Sequence, residues 1–275
     1  DDTTELYCCR VSVIENGTCK DCMEENFGFR SLNWNGSGLW VNGQETLLRG
    51  ACIHHDNGIL GAACFADAEE RRVRILKEAG FNAIRSAHNP ISKSMLDACD
   101  RIGMYVMDEC FDMWYIHKNP YDYSRYFEQW WEADLTAMVE KDRNHPSVIL
   151  YSVGNEISDL GQEKGQKLCR EMASLVRSLD RTRPVTLGIN LMLAGLVAMG
   201  TGMYGDGKDE KKNTGAGTVS LDNMPTSSFF NTLMNMAGGI NERLMNIPPA
   251  DSISDKVGSM LDLPGYNYAG PRYHK

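Results

Sequence analysis

Four short clusters carry the groups that could do chemistry. Asn155-Glu156 closes the segment NHPSVILYSVGNEISD, whose apolar run from Val148 to Val153 reads as a buried strand. An amide beside a carboxylate at the end of such a strand needs a partner or a function, because burying an unpaired ionisable group is costly. His54-His55-Asp56 ends GLWVNGQETLLRGACIHHD, Arg85 to His88 lie near the end of FNAIRSAHNP, and Asp108-Glu109 fall in MYVMDECFD. Each has a plain structural explanation when taken alone: Asn-Glu caps a helix, and a buried Arg in a strand is an ion-pair partner. Together they place acidic, basic and amide groups at the C-termini of successive strands.

The elements that must position them alternate. DAEERRVRILKEAG reads as a helix with Asp67 and Glu70 as a capping box, Val73 and Leu76 on the apolar stripe and Gly80 as its stop. SKSMLDACDRIG reads as a helix capped by Ser92, with Met95, Cys99 and Ile102 on one face. A further helix is expected around Trp130 to Lys141, another over GQKLCREMASLVRSLD, a strand at PVTLGIN, a helix at SDKVGSMLD and a sixth strand at LPGYNYAG. The strand before His54 reads as buried. Alternating strands and helices imply βαβ units and a parallel sheet. No GxGxxG or Walker-type loop follows a strand, which removes the dinucleotide and phosphate signatures of a doubly wound sheet. A polar constellation drawn from several strand ends fits the catalytic face of a (β/α)8 TIM barrel, here an incomplete α/β barrel with about six of eight units.

Two segments stand apart. Residues 5–33 are short strands split by the Asn16-Gly17 turn signal, and they read either as the end of a β-sandwich or as a hairpin leading into the main domain. Residues 191–250, Gly- and Met-rich and then charged, read as an excursion after the fifth strand, beside the mouth of the site.

The chain has 275 residues, enough for one large domain, and a net charge of -9 with no basic block, which argues against nucleic acid. No apolar run reaches the roughly 18 residues of a membrane span, and no signal peptide is visible. Nine scattered cysteines, an odd number, favour a reducing, cytoplasmic setting. Several of them, Cys52, Cys99, Cys110 and Cys169, sit in apolar runs and read as small hydrophobes. Cys19 and Cys22 form a lone CxxC without a second pair at zinc-finger spacing.

NAIRSAHNPISKSMLDACDRIGMYVM and DRNHPSVILYSVGNE resemble the two signature segments of glycoside hydrolase family 2, which includes β-galactosidases and β-glucuronidases. LLRGACIHHDNGILGA and the FGFR segment resemble what precedes them in that family. The resemblance runs over residues 5–190 and 261–273; Asn89 stands where Tyr is common and Tyr151 where Trp is common. It implies that residues 1–36 are the last strands of an immunoglobulin-like β-sandwich. Residues 37–275 would then be the TIM-barrel catalytic domain, truncated before the seventh strand.

It further implies a retaining exo-β-glycosidase with two carboxylates about 5 Å apart. Glu156 matches the acid/base, which needs a raised pKa. Asn155 matches the residue that binds the sugar 2-hydroxyl. Arg85 matches the group that holds the nucleophile ionised, and His88 a contact to sugar hydroxyls. His54, His55 and Asp56 are expected to line the sugar pocket, with either His pointing inward, and Asp112 and Trp114 to form a sugar platform. Tyr268 matches a tyrosine that hydrogen-bonds the nucleophile, with Tyr266 and Tyr273 as substitutes. Asp108 or Glu109 would support Arg85 or Glu156. DECFDMWYIH does not reproduce the family's magnesium spacing, so neither a metal nor another cofactor is expected.

The nucleophile of the family is a Glu on the seventh strand, and residues 251–275 contain no glutamate. The chain is therefore expected to be a fragment, inactive alone. A β-glycoside is the expected partner, galactoside ahead of glucuronide, with room for a homo-oligomer in a full-length enzyme. A non-catalytic carbohydrate-binding barrel is the reading from another class.

Overall fold

A computed structural model describes residues 4–200, 246 and 248–272. The chain divides into two compact units, Asp1–Glu109 with Ala137–Tyr151 and Leu179–Pro184, and Cys110–Thr136 with Ser152–Ser178 and Val185–Lys275.

The first unit begins with a two-stranded antiparallel ribbon, β1 (Tyr7–Glu15) and β2 (Thr18–Phe27). Its turn is Asn16-Gly17, both at positive φ (51° and 77°), the backbone that suits the right-handed twist of a tight hairpin. Every residue of β1 is exposed, Val11, Val13 and Ile14 among them. A small meander follows, β3 (Leu32–Asn35), β4 (Gly38–Val41) and β5 (Gln44–Glu45).

Strands β6 (Gly50–Ile53), β7 (Ala83–Ser86) and β8 (Tyr105–Glu109) then pair in parallel, in the register Ile53↔Ser86 and Arg85↔Met107. Helices α1 (Ala66–Glu78) and α2 (Lys93–Ile102) connect them and pack on each other. Ser92 caps α2 by accepting from the Met95 N–H at 3.1 Å, and Gly103 ends it in the left-handed region. The apolar face of α2 (Met95, Leu96, Cys99) is buried, as are Val73 of α1 and Val106 of β8.

Strand β9 (Val148–Asn155) is buried at every residue. The first unit fixes its beginning with two guanidiniums. Arg183 donates to the Val148 carbonyl at 2.7 Å and to the carbonyls of Arg143 and His145 at 2.9 Å, and Arg30 donates to the carbonyls of Pro146 and Val148. Burial holds the Arg30 guanidinium down to about 10, yet it stays charged at neutral pH. The turn ahead of β9 is closed by Asp100, which meets His145 Nδ1 at 2.6 Å and accepts from the Ser147 N–H at 2.9 Å.

The second unit contains the end of β9, β10 (Val185–Ile189) and the two-residue β11 (Gly265–Tyr266), the last two in parallel. Among the described residues the sheet order is β11-β10-β9-β8-β7-β6, six strands in sequence order as the alternation of elements predicts. Helix α3 (Ser124–Asp142) lies between β8 and β9, and α4 (Glu163–Leu179) between β9 and β10. Helix α4 buries Leu168, Cys169, Met172 and Val176. Helices α5 (Leu191–Ala198) and α6 (Pro249–Gly258) pack on each other. Trp114, Phe111 and Phe127 form a ring cluster, with centroids 6.2 Å apart for Trp114–Phe127 and 5.1 Å for Phe111–Phe127.

Several local expectations are corrected. Helix α1 starts at Ala66 with Phe65 as N-cap, so Asp67 lies in its first turn and forms no capping box; there its charge still favours the helix dipole. Among the described residues β6 is an edge strand, paired on one side only, and it is largely exposed, Cys52 with it. The segment after β10 opens with the helix α5, N-capped by Asn190, whose Oδ1 accepts from the Leu193 N–H at 3.2 Å. Most of the remaining expected excursion lies outside the described residues.

Candidate active site

In the first unit the polar ends of β7 and β8 meet. Arg85 donates through Nε and Nη2 to Oε2 of Glu109 at 3.0 and 2.8 Å, and His88 Nδ1 lies 2.6 Å from Oε1. The Glu109 side chain is fully buried, so the guanidinium and the imidazole supply what water cannot. The peptide bond between Ala87 and His88 is cis.

His54 extends this group: its ring stands edge-on to His88 with centroids 5.3 Å apart. His55 lines a pocket together with His54, Glu69, Arg72 and Ser86, and burial holds its imidazole below the usual value. Of the two histidines, then, His54 is the one beside His88. Asp56 is exposed and accepts from the Gly58 N–H at 3.0 Å, which closes its own loop. Asp108, one residue before Glu109, faces the opposite side of the strand, as alternation requires, and accepts from the Ile91 N–H at 2.9 Å. Glu109 is thus the member of the acidic pair that meets Arg85.

In the second unit the polar group centres on Glu156. Asn267 Nδ2 donates to Glu156 Oε1 at 2.8 Å and to Asn155 Oδ1 at 2.9 Å, and Asn190 Nδ2 lies 3.3 Å from Glu156 Oε2. Asn155 Nδ2 donates to Asp112 Oδ1 at 2.9 Å, and Lys118 Nζ donates to the same oxygen at 2.7 Å and to the Asn155 carbonyl at 2.9 Å. Glu156 itself has φ 50°, a left-handed backbone that a residue with a Cβ adopts at a cost. Tyr268 follows Asn267, also left-handed (φ 59°) and partly exposed. Tyr266 is bonded to Ser254 through its hydroxyl at 2.8 Å, and Tyr273 lies outside the described residues.

Trp114 is no platform in this structure. It is fully buried, stacked on Phe127, and its Nε1 donates to the Val153 carbonyl at 3.1 Å. Asp112, two residues earlier, keeps part of its side chain exposed.

Sequence reasoning missed Asn190, Asn267 and Lys118. Asn190 carries the same signal that marked Asn155, an amide just past an apolar strand, whereas Asn267 follows only the two residues of β11. Lys118 lies in a loop with no periodic signal. Among the described residues Asp97, Asp100 and His145 bring ligand atoms within 4.8 Å of one another, but Asp100 and His145 already serve the turn before β9.

Residues 33–218 match the profile of the glycosyl hydrolases family 2 TIM barrel domain. A β-galactosidase of Bacteroides ovatus is 39% identical over 221 residues, covering 69% of this chain and 26% of that protein. A solved family 2 glycosyl hydrolase from Bacteroides cellulosilyticus superposes with TM-score 0.72 at 35% identity, over 98% of this chain and 27% of the other. The β-glucuronidase of Parabacteroides merdae superposes with TM-score 0.58 at 28% identity, over 68% of this chain and 24% of the other. The chain thus spans about a quarter of the length of these relatives. With its strand-end amides and carboxylates on consecutive parallel strands, the chain belongs to glycoside hydrolase family 2 and carries sequence of that family's TIM barrel.

Proposed function

We propose that the intact protein is a retaining exo-β-glycosidase in which Glu156 is the acid/base, and that its preferred substrate is a β-galactoside. The observation that carries this is the convergence on Glu156: amides from Asn190 and Asn267 meet its two oxygens at the end of β9. A carboxyl held by donors on both sides, and only partly buried, can pass a proton to a departing sugar oxygen and take it back from water. Asn155 binds the sugar 2-hydroxyl, His88 and His54 contact the sugar, and Arg85, which is paired with Glu109, also holds the nucleophile ionised. Tyr268 hydrogen-bonds the nucleophile, a carboxylate outside the described residues. Strand β1, exposed along its length with Val11, Val13 and Ile14 among its residues, supports reading residues 1–36 as the edge of an immunoglobulin-like sandwich.

The test is turnover of alkyl and nitrophenyl β-galactosides and β-glucuronides by the intact protein and by Glu156→Gln. Loss of alkyl galactoside hydrolysis on the order of a hundredfold or more is expected in the variant. Unchanged turnover would overturn the assignment. A faster rate on glucuronides would favour the second reading, a β-glucuronidase, which the likeness to the Parabacteroides merdae enzyme supports. Sugar binding without hydrolysis of any substrate would favour a carbohydrate-binding barrel.

A further inference from the structure

A primary amide can be turned by half a revolution about its last bond, exchanging its oxygen and its NH2 in nearly the same space. Asn155 and Asn267 each face this choice, and in the wrong orientation Asn267 would present a carbonyl oxygen to Glu156, two acceptors face to face. One end of the hydrogen-bond chain removes the ambiguity. An ammonium only donates, so the Asp112 Oδ1 that Lys118 Nζ meets at 2.7 Å is an acceptor. The group of Asn155 that lies 2.9 Å from that same oxygen must then be its NH2. This turns Asn155 Oδ1 toward Asn267, which must answer with its own NH2 at 2.9 Å. The second hydrogen of that NH2 reaches Glu156 Oε1 at 2.8 Å. At the other oxygen of Glu156 the direction is set independently, because the Asn190 Oδ1 is committed to the Leu193 N–H as the cap of α5.

We propose that the Lys118–Asp112 ion pair sets the direction of this hydrogen-bond chain, so that Asn267 offers Glu156 a donor. Lys118 and Asp112 are positioning residues that act through Asn155 and Asn267. Two features suit the pair to this role. The Lys118 side chain is only 11% exposed, and its second bond, to the Asn155 carbonyl, fixes the backbone of the residue it orients. The catalytic consequence rests on the reading of Glu156 as acid/base; the direction of the chain does not.

The direct test uses intact protein labelled with 15N-asparagine, with the side-chain NH2 signals of Asn267 identified by their loss in Asn267→Ala. Wild type is expected to give one pair of signals in slow exchange with water. Asp112→Asn can turn either way, and is expected to give a second pair or faster exchange. Lys118→Met leaves the Asp112 carboxylate an acceptor but removes the ammonium from it and from the Asn155 carbonyl. It is expected to give faster exchange without a second pair, while Lys118→Arg restores the wild-type signals. Asn267 signals unmoved by both Asp112→Asn and Lys118→Met would overturn the proposal.

Kinetics give the second readout. In Asp112→Asn, kcat on alkyl glycosides, which need a proton donor, is expected to fall on the order of ten- to a hundredfold. Nitrophenyl glycosides, whose leaving group needs little help, lose far less kcat, and any rise in KM through the Asn155 amide, which meets the sugar 2-hydroxyl, is the same for both classes. Equal losses on both classes would overturn the positioning role. A protein that hydrolyses neither class fails the proposed activity, while the amide signals still decide the direction of the chain.

Discussion

Asn155 and Glu156 are neighbours in the chain, yet both accept hydrogen bonds from the one amide of Asn267. In an extended strand consecutive side chains point to opposite faces. The alternation fails here because β9 ends at Asn155 and Glu156 turns to φ 50°. That left-handed residue swings the carboxylate round to the side its neighbour already occupies.

The turn has a stability cost that substitution can expose. A residue with a Cβ pays about 1–2 kcal/mol in this region and glycine pays little. Glu156→Gly is therefore expected to be about 1 kcal/mol more stable than Glu156→Ala, although glycine normally weakens a chain through the unfolded state. Denaturant unfolding of the two variants measures the difference; an alanine variant as stable as the glycine one would show that the backbone at 156 carries no strain.

Gly154 lets the strand end sit where it does. A Cβ there would lie 2.8 Å from Ile157 Cγ1 and 3.1 Å from Trp114 Nε1, both buried. Gly154→Ala must push these groups aside, at about 1–3 kcal/mol for an overpacked core. Because Asn155 and Glu156 follow directly, kcat is expected to fall more than KM rises. Turnover and unfolding of this variant should be read together, and an unaltered variant would show that the pocket of Ile157 and Trp114 yields freely.

The Arg85–Glu109 pair predicts an asymmetry. Removing one partner leaves a buried carboxylate held by the imidazole of His88 and not by the guanidinium, so Arg85→Met should cost about 3–5 kcal/mol. Adding Glu109→Gln to that variant removes the stranded charge and should recover part of the loss. A double variant less stable than Arg85→Met, in chemical denaturation, would contradict the account.

Stability should also respond to pH through two buried carboxyls. Burial, together with the neighbouring Asp142 carboxyl, pushes Asp108 well above the usual carboxylate range, against the pull of Lys141 and the Ile91 N–H. The folded state therefore keeps a proton that the unfolded chain releases near pH 4, and stability falls as pH rises above that point until the folded carboxyl itself ionises. Asp108→Asn keeps the acceptor for Ile91 and gives Asp142 a donor. It should gain stability over wild type at pH 8 and match it near pH 4. Asp159 is pushed up to about 6, chiefly by burial and against the N–H groups of Tyr115 and Ile116, so its share of the fall lies between about pH 4 and 6. Unfolding curves across this range check both; an Asp108→Asn variant whose stability follows wild type at every pH would refute the first.

Much of the site was legible because it sits on strands that the sequence marks clearly. Val148 to Val153 is an unbroken apolar run, and it forms a strand buried along its whole length. The polar residues that end it, and those that end β7, were therefore visible as exceptions. The same apolar signal misled at β6, which among the described residues is an edge strand with Cys52 and its neighbours exposed. Trp114 was misjudged because an aromatic beside Asp112 can serve a sugar or a core equally well; packing on Phe127 decides it. Asn267 follows a strand of two residues, too short for a periodic pattern to frame it, and Lys118 is joined to Asn155 only by the tertiary fold.

The distribution of thiols gives the molecule two internal clocks. Cys8, Cys9, Cys19 and Cys22 lie on the open ribbon and will take up an alkylating reagent at once, whereas Cys99 is buried in one unit and Cys110 and Cys169 in the other. Burial pushes the Cys99 thiol well up and the Cys169 thiol up to about 12, so neither presents a thiolate until its surroundings open. The time at which each mass increment appears would separate the breathing of the half that holds Arg85 from that of the half that holds Glu156.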